Sequence, residues 1–186
     1  MEKKQIRSEI IALRNMMSDY DCDYLSERIK KTLISLDVYR SAENIFAYMS
    51  NKKEVYTQKI IEQAWADGKN VYIPKVLSKT EMDFYKLNSF DEVSIGMYGI
   101  EEPTSFESAD EVNDAVIILP GVAFDYDLNR IGQGGGYYDR YLASHKDINF
   151  TKIALSYDFQ IFKVLDVVEA HDEKLNMIVT PTMVIE

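Results

Sequence analysis

The residues best suited to chemistry lie between positions 119 and 142, in the stretch LPGVAFDYDLNRIGQGGGYYDRYL. Four of the chain's eight glycines fall within the five positions from Gly132 to Gly136, after a strongly apolar strand pattern and before a helical one. Because glycine has no Cβ, such a turn lets backbone N–H groups converge closely on an anion such as a phosphate. The pattern therefore predicts a nucleotide-phosphate site.

Charged side chains surround this turn. Arg130 and Arg140 flank it with positive charge, which favours an anion. Asp125, Asp127 and Asp139 supply the hard oxygen atoms that Mg²⁺ prefers. An acid in the first turn of a helix also complements the helix dipole without any metal, so Asp139 keeps that second interpretation.

The glycines fit none of the common phosphate-binding patterns. The stretch lacks G-x-x-x-x-G-K-[ST], and G-x-G-x-x-G fails because position 137 is tyrosine. The dinucleotide fingerprint also follows its strand directly, whereas here the strand pattern ends at Leu119, well before the glycines. A flexible loop that ends at a helix N-terminus explains the same residues, so the ligand stays open at this point.

A basic segment near the N-terminus could reach the same anion. Lys3, Lys4 and Arg7 stand at i, i+1 and i+4, so two or three of them can share one helix face. The whole chain has a formal charge of −10, which makes this cluster a local exception. A solvated basic face is the more frequent role for such residues when the segment is taken alone.

Three further residues could complete a binding site. Glu54 follows a predicted strand, where ligands bind in open α/β sheets, and could accept hydrogen bonds from a ligand's N–H groups. Met49 could supply an apolar wall, and Asp172 could join Asp139 at a metal ion. Each of the three also has an ordinary role, as a surface glutamate, a core methionine and a loop acid.

Composition excludes several classes of protein. The 186 residues are 46% apolar and 28% charged, which is typical of one globular domain. The net negative charge opposes binding to nucleic acid or to anionic membranes. Two histidines and the single Cys22 leave no zinc-protease motif and no intrachain disulfide. No segment has the apolar core of a signal peptide or the ~20 apolar residues of a membrane helix, so we expect a cytoplasmic protein.

Hydrophobic periodicity predicts the elements that must position these residues. Helical patterns cover 2–17, about 24–36, 57–66, and the segment from the glycine turn to about 145. Strand patterns cover 44–49, 70–74, 82–87, 115–119, 152–157 and 177–179. We expect the strand at 115–119 to be central, that at 82–87 to lie at an edge and that at 70–74 to end at Pro74, with an irregular segment at 88–113.

This alternation of strands and helices predicts an α/β sandwich around a mostly parallel sheet. The predicted fold is Rossmann-like but lacks the dinucleotide fingerprint. We expect one domain over residues 1–186, in which the N-terminal helices of residues 1–36 pack on the α/β core.

Motifs along the whole chain resemble those of the 5-formyltetrahydrofolate cyclo-ligase family. The central match is PGVAFD from Pro120, followed by RIGQGGGYYDR from Arg130. Further matches are KKQIR from Lys3, EVYT from Glu54, GIEEP from Gly99 and HDEKL from His171. The segment YDLN before Arg130 departs from the family, which more often has a glycine there.

The resemblance implies a three-layer α/β/α sandwich and an ATP-dependent ligase. Such an enzyme converts 5-formyltetrahydrofolate to 5,10-methenyltetrahydrofolate and releases ADP and phosphate. ATP would phosphorylate the formyl oxygen, and N10 would then close the ring. The resemblance also implies Mg²⁺, two small-molecule substrates, and a monomer or weak dimer.

Site residues follow from the resemblance, position by position. The residues that would contact ATP are Lys3, Lys4, Arg7, Arg130, Ile131, Gly132, Gln133, Gly134, Gly135, Gly136, Tyr137 and Tyr138. The residues that would contact the folate are Met49, Glu54, Gln133, Gly134, Gly135, Gly136 and Tyr137. Arg130 and Tyr137 would be catalytic, and Asp139 and Asp172 would hold Mg²⁺ directly or through water.

Three other functions compete with this interpretation. Another ATP-using or sugar-phosphate enzyme would account for the glycine turn but would leave Glu54 and the N-terminal basic motif as coincidences. A non-catalytic folate- or nucleotide-binding regulator would be favoured by the loss of a motif residue, and Arg130, Asp139 and Glu54 are all present. A protein-interaction module would leave the glycine cluster without a purpose.

Overall fold

The apolar segment Asp114–Leu119 forms the central strand of a seven-stranded sheet. The computed structural model describes residues 2–167 and 173–186. Within them the strands of this sheet are β1 (Asn44–Ala47), β2 (Asn70–Val76), β3 (Met82–Lys86), β6 (Asp114–Leu119), β9 (Asn149–Leu155), β11 (Met177–Val179) and β12 (Val184–Ile185). Two smaller sheets contain β4 (Val93–Ile95) with β5 (Glu101–Pro103), and β7 (Ala123–Asp125) with β8 (Arg130–Ile131) and β10 (Ile161–Phe162).

The strand order of the large sheet is β12-β11-β9-β6-β1-β2-β3. The five inner strands run parallel, and the two outer strands, β12 and β3, run antiparallel to their neighbours. Parallel strands place all their carboxyl ends at one edge, where the loops that follow them can meet. The predicted mostly parallel sheet, the central strand β6 and the edge strand β3 are therefore confirmed.

Helices cover the two faces of the large sheet and one of the small ones. They are α1 (Lys3–Met16), α2 (Asp19–Ser35), α3 (Asp37–Ser41), α4 (Gln58–Ala66) and α5 (Tyr137–Ser144). Along β6, Val116 and Ile118 pack in the core beneath α2, α3 and α4, whereas Ile117 and Leu119 pack in the core beneath α5. This alternation follows from the two-residue period of a strand, and it gives the predicted three-layer α/β/α arrangement.

The first helix packs elsewhere. Ile6 and Ile10 on α1 are buried against Val122, Ala123 and Ile131, which belong to the small sheet of β7, β8 and β10 or border it. The pairing of β10 with β7 brings the segment that follows β9 next to the one that follows β6. Helix α1 therefore packs on the same small sheet whose strand β8 continues into the glycine turn.

Some element predictions were wrong. Strand β2 continues through Pro74 to Val76, because its partner β1 pairs only as far as Tyr72 and β3 pairs on the other side. The segment 88–113, predicted to be irregular, contains β4 and β5. Helix α2 begins at Asp19, where Ser18 accepts a hydrogen bond from the Asp21 N–H, and not at about 24.

Candidate active site

The candidate site lies at the carboxyl edge of the parallel strands. Glu54 follows β1, Ser78 follows β2, Pro120 follows β6 and Tyr157 follows β9. The glycine turn Gly132–Gly136 contacts several of these segments and continues directly into α5. This is the edge where ligands bind in open α/β sheets.

The glycine turn has a conformation that depends on glycine at two positions. Gly134 has a φ of +103° and Gly136 a φ of +66°. Gly136 is also the N-cap of α5, and no side chain caps that helix end. The first N–H groups of α5 therefore have no side-chain acceptor from an N-cap, which suits a helix end that binds an anion.

Helix α1 reaches the glycine turn through Arg7. The Arg7 Nε donates to the Gly132 carbonyl oxygen at 2.8 Å, across 125 positions of sequence. Lys3 is half-buried and Lys4 is exposed on the same first turns of α1. The structure thus places the predicted N-terminal basic segment beside the predicted phosphate turn.

Arg130 is a buried arginine at the start of this turn. One guanidinium nitrogen donates to Asp139 Oδ1 at 2.5 Å and the other to the Pro120 carbonyl oxygen at 3.1 Å. The Arg130 Nε is buried and has no hydrogen-bond partner among the described residues. A guanidinium that is fixed by two hydrogen bonds is a preorganised positive charge beside the turn, and such a charge favours an anion there.

Glu54 is joined to the glycine turn as well. Its Oε1 accepts a hydrogen bond from Gln133 Nε2 at 3.2 Å, and its Oε2 accepts one from the Asn51 N–H at 3.0 Å. The Arg14 Nη1 lies 3.8 Å from Glu54 Oε1. Glu54 is therefore no isolated surface glutamate, because side chains from two other segments, α1 and the glycine turn, converge on it.

Tyr137 is held at the mouth of the site. Its hydroxyl lies 2.8 Å from the Tyr98 hydroxyl and 3.2 Å from the Ser78 carbonyl oxygen, to which it donates. The hydrogen bond with Tyr98 raises the pKa of the Tyr137 hydroxyl above its ordinary value. At neutral pH this tyrosine is therefore protonated, and it can act as a hydrogen-bond donor but not as a base.

The guanidinium of Arg140 fixes the outer side of the turn. It donates to the carbonyl oxygens of Thr80 and Gly135, at 2.8 Å each, and it lies over the Tyr137 ring. These contacts tie the turn to the hairpin between β2 and β3. Arg140 acts here on the backbone of the turn.

Several predicted ligand contacts fall on side chains that lie in the core. Met49 is 2% exposed and Ile131 is 1% exposed, and both belong to apolar clusters. Tyr138 also packs against the core, and desolvation raises its hydroxyl pKa, with a further increase from the charge of Glu54 and a decrease from that of Arg130. Met49 and Ile131 can contact a ligand only through their backbone or after a rearrangement.

The acidic residues that were considered as metal ligands lie in different environments. Asp125 is fully buried and accepts hydrogen bonds from the N–H groups of Asp127, Asn129 and Leu165, so it fixes the hairpin between β7 and β8. The role in metal binding suggested for Asp125 by its residue type is therefore wrong. Asp127 is an exposed residue of that hairpin.

Asp139 is the remaining predicted metal ligand within the structure. Its Oδ1 is used by Arg130, and its side chain is 28% exposed. Asp172 lies outside the described residues. Among residues 2–167 and 173–186, no three acidic, histidine or cysteine side chains cluster in a way that could hold a metal ion.

A separate cleft lies at the opposite edge of the sheet. It has a volume of about 640 Å³ and is lined by residues at the starts of strands, among them Asn44, Asn70 and Asp114. None of the predicted site residues borders this cleft. The volume of this cleft alone would therefore indicate a site at the amino edge, whereas the motif residues meet at the carboxyl edge.

Two site residues, Arg14 and Tyr98, were missed by the sequence analysis. Arg14 stands two helical turns after Arg7, on the face that buries Ile6 and Ile10, and that spacing could have identified it. Tyr98 precedes the GIEEP motif, but the segment was predicted to be irregular, so its position beside Tyr137 had no signal in the sequence.

None of the helices described in residues 2–167 and 173–186 has the length and apolar character needed to cross a membrane.

The geometry can be compared with known proteins. The model of the 5-formyltetrahydrofolate cyclo-ligase family matches residues 1–181. The chain is 32% identical to the Schizosaccharomyces pombe protein named "Probable 5-formyltetrahydrofolate cyclo-ligase", over all of this chain and 98% of that protein. The solved structure of Aquifex aeolicus 5,10-methenyltetrahydrofolate synthetase superposes with a TM-score of 0.84 at 31% identity, over 99% of this chain and 92% of that one. A Mycoplasma pneumoniae 5,10-methenyltetrahydrofolate synthetase superposes with a TM-score of 0.74 at 25% identity, over 97% of this chain and 99% of that one.

Proposed function

The chain belongs to the 5-formyltetrahydrofolate cyclo-ligase family, and from that premise we propose that it converts 5-formyltetrahydrofolate to 5,10-methenyltetrahydrofolate at the expense of ATP. The products of ATP are ADP and phosphate. The proposal places both substrates at the carboxyl edge of the parallel sheet, on opposite sides of the glycine turn.

One observation carries the proposal: the glycine turn is bonded on one side to Arg7 and on the other to Glu54. Arg7 donates to the Gly132 carbonyl oxygen, and the neighbouring Gln133 donates to Glu54 Oε1. A basic segment suits ATP phosphates, and a carboxylate suits the N–H edge of a pterin. The two ligand types thus have adjacent sites that share a single turn.

The N-formyl group of the folate is a poor electrophile, so the proposed reaction must first activate it. In the proposed reaction the formyl oxygen attacks the γ-phosphorus, and the bond from that phosphorus to the β–γ bridging oxygen breaks. ADP leaves with that electron pair, and the folate carries an iminophosphate. N10 then attacks the formyl carbon and loses its proton, and the carbon–oxygen bond breaks to release phosphate and the methenyl product.

The protein contributes mainly position and charge to such a transfer. Arg130 would stabilise charge on the transferred phosphoryl group, since its guanidinium is already fixed beside the glycine turn. Tyr137 would donate a hydrogen bond near the reacting oxygen once its hydroxyl releases the Ser78 carbonyl oxygen. Lys3, Lys4 and Arg7 would bind ATP phosphates, together with the N–H groups of residues 130–138.

Glu54 would orient the folate by accepting hydrogen bonds from its pterin ring. Of the other predicted folate contacts, Gln133 is bonded to Glu54 and Tyr137 borders the same turn. Met49 would contribute from the core beneath the ring. The exposed Gly134 and Gly135 leave room for both ligands at the turn.

The residues fit a magnesium ion that is carried mainly by ATP. Mg²⁺ typically takes one or two protein carboxylates together with phosphate oxygens and water, and Asp139 has one oxygen that Arg130 does not use. Asp139, with Asp172 as a second predicted ligand, would hold the ion. When bound, Mg²⁺ would neutralise negative charge on the phosphates.

We further propose that the protein acts in the cytoplasm as a monomer or weak dimer. Its charge of −10 and the family relationship support this proposal, which treats neither nucleic acid nor membranes as partners. A related Arabidopsis thaliana protein is named as mitochondrial, so fractionation of cells that express the full chain is the appropriate measurement.

The decisive experiment follows the absorbance of methenyltetrahydrofolate and the release of phosphate in parallel. With 5-formyltetrahydrofolate, ATP and Mg²⁺, we expect one phosphate for each ring closed. Omission of ATP, or chelation of Mg²⁺, should abolish both signals. A well-folded protein that binds both substrates but gives no ATP-dependent product would refute the catalytic proposal and favour a non-catalytic binding protein.

A further inference from the structure

Arg14 is a buried arginine whose donors are largely unused. Its side chain is 7% exposed, and its Nε has no hydrogen-bond partner among the described residues. Its nearest acidic group is Glu54, at 3.8 Å, which is an ion-pair distance but too long for a direct hydrogen bond. A buried guanidinium is costly unless a negative charge compensates it, so Glu54 and Arg14 depend on each other.

The pair belongs to a closed ring of contacts. Arg7 and Arg14 stand two turns apart on α1, about 10 Å along the helix. Arg7 bonds Gly132, the next residue Gln133 bonds Glu54, and Glu54 faces Arg14. One rigid helix therefore spans the separation between the glycine turn and the carboxylate.

A small cavity adjoins the pair. It is lined by Arg14, Glu54, Tyr48, Gly121 and Gln160, among others, and its volume of about 10 Å³ is close to that of a single water site. A folate ring could not enter such a space. Arg14 therefore contacts Glu54 inside the protein, where the folate ring has no room.

We propose that Arg14 is the positioning residue that holds Glu54 in the orientation in which it binds the folate. This inference rests on the proposed folate-binding role of Glu54. Arg14 compensates the charge of the carboxylate and limits its rotation, and α1 sets its distance from the phosphate turn. Loss of Arg14 should therefore weaken folate binding selectively and leave ATP binding nearly unchanged.

The first test compares Arg14→Met with Arg28→Met, which removes an exposed arginine from α2. We expect Arg14→Met to raise the KM for 5-formyltetrahydrofolate at least tenfold, while the KM for ATP stays within about twofold. Arg28→Met should change neither. Equal increases in both KM values, or no change in either, would overturn the inference, because a general structural defect does not distinguish the two substrates.

A conservative variant covers the case in which Arg14→Met does not fold. Arg14→Lys keeps the charge and loses the planar fork. We expect it to raise the folate KM about three- to fivefold, with the ATP KM unchanged. An unchanged folate KM in this variant, or equal increases in both KM values, would refute the positioning role.

A double-mutant cycle with Glu54→Gln tests whether Arg14 acts through Glu54. The folate affinity of each variant is measured by calorimetry, which needs no turnover. We expect Arg14→Lys to weaken binding in the wild-type background but to have almost no further effect once Glu54 is replaced. Fully additive losses would contradict the inference. If the wild type binds folate but catalyses no ring closure, the proposed reaction fails while the calorimetric cycle still decides the role of Arg14.

Discussion

The two edges of the large sheet differ in how their polar residues are used. At the amino edge, the cleft of about 640 Å³ is lined by polar residues that bond each other or the backbone of adjacent strands: Asn44 donates to the Asp114 carbonyl oxygen, and Asn70 donates to Asn44. At the carboxyl edge the cavity beside Glu54 is only about 10 Å³, yet hydrogen bonds there join segments far apart in sequence.

The difference indicates that side chains converging from distant segments are a better guide to the candidate site than the volume of a cleft. Groups at the amino edge satisfy one another, so they present few unused donors to a ligand. The carboxyl edge contains two buried guanidinium groups, Arg14 and Arg130, and the Nε of each has no hydrogen-bond partner within residues 2–167 and 173–186. Matched substitutions at the two edges can test this comparison.

The largest effect is expected for Arg130→Ala. Loss of a fixed donor to a transferred phosphoryl group typically lowers turnover about 10²- to 10³-fold. The guanidinium is also buried and paired with Asp139, so we expect the free energy of unfolding to fall by about 1–3 kcal/mol. Steady-state kinetics and urea denaturation measure the two effects.

The counterpart at the amino edge is Lys69→Ala. The Lys69 ammonium donates to the carbonyl oxygens of Arg40 and Ala42, at 3.1 and 2.6 Å, just before β2. Its loss should cost about 1 kcal/mol of stability and leave kcat/KM within about twofold. A comparable loss of activity in both variants would contradict the contrast between the edges.

The second comparison is between Glu54→Gln and Asp114→Asn. Hydrogen bonds to a charged group contribute about 1.5–3 kcal/mol, so Glu54→Gln should raise the folate KM about 10- to 100-fold. Asp114 is exposed at the amino edge, and Asp114→Asn should leave both KM values within about twofold. Substrate titrations check both; a raised folate KM in Asp114→Asn would move the site towards the large cleft.

The third comparison uses two glycines that have a positive φ. Gly134, in the turn, has a φ of +103°, and Gly68, after α4, has a φ of +75°. A Cβ at either position meets no close contact, so both alanine variants should lose about 1–2 kcal/mol of stability through strain alone. Gly134→Ala should also raise the KM for ATP about three- to tenfold through distortion of the turn.

Thermal denaturation and ATP titration separate the two contributions. If Gly68→Ala impaired ATP binding as strongly as Gly134→Ala, the effect would come from lower stability and not from the shape of the turn.

The smallest effect is a difference in stability at alkaline pH. Burial raises the pKa of Tyr48 well above its ordinary value of 10.0, and burial also raises the pKa of Tyr72 at the amino edge. A raised pKa in the fold means that the protonated phenol stabilises the protein fully below pH ~10, and that this contribution is lost as the pH rises further. Tyr48→Phe should therefore flatten the alkaline loss of stability more than Tyr72→Phe.

Urea denaturation between pH 8 and pH 11 measures this difference. Tyr48→Phe should also cost about 1 kcal/mol at neutral pH, because the Tyr48 hydroxyl donates to the Val55 carbonyl oxygen at 2.9 Å. If the free energy of unfolding fell in parallel with rising pH for the wild type and Tyr48→Phe, the alkaline loss of stability would not come from Tyr48.

The sequence predicted the elements whose signal is local. The uninterrupted apolar run at 115–119 identified the central strand, and the helical periodicity of the N-terminal segment identified α1. The strands β7, β8 and β10 were not predicted, because they contain two or three residues each and because β10 pairs with β7 across a long sequence distance, as between Phe124 and Ile161. No short-range pattern contains that information.

For the candidate site, too, the sequence predicted some features and not others. Motif residues such as Arg130, Glu54 and Arg7 were identified from the sequence through a family resemblance. Their mutual contacts were not, because Gln133 to Glu54 and Arg14 to Glu54 join different elements of the fold. The pairing of Arg130 with Asp139 likewise required the geometry of the turn.

The packing of α1 has a consequence for the order in which the chain becomes folded. This helix is synthesised early, but the residues that bury Ile6 and Ile10 include Val122, Ile131 and Leu165. On the ribosome, at about 5–20 residues per second, α1 must wait on the order of ten seconds before its binding surface exists. One of the first segments to emerge is thus one of the last that can dock, so the contact between Arg7 and the glycine turn forms only as the fold is completed.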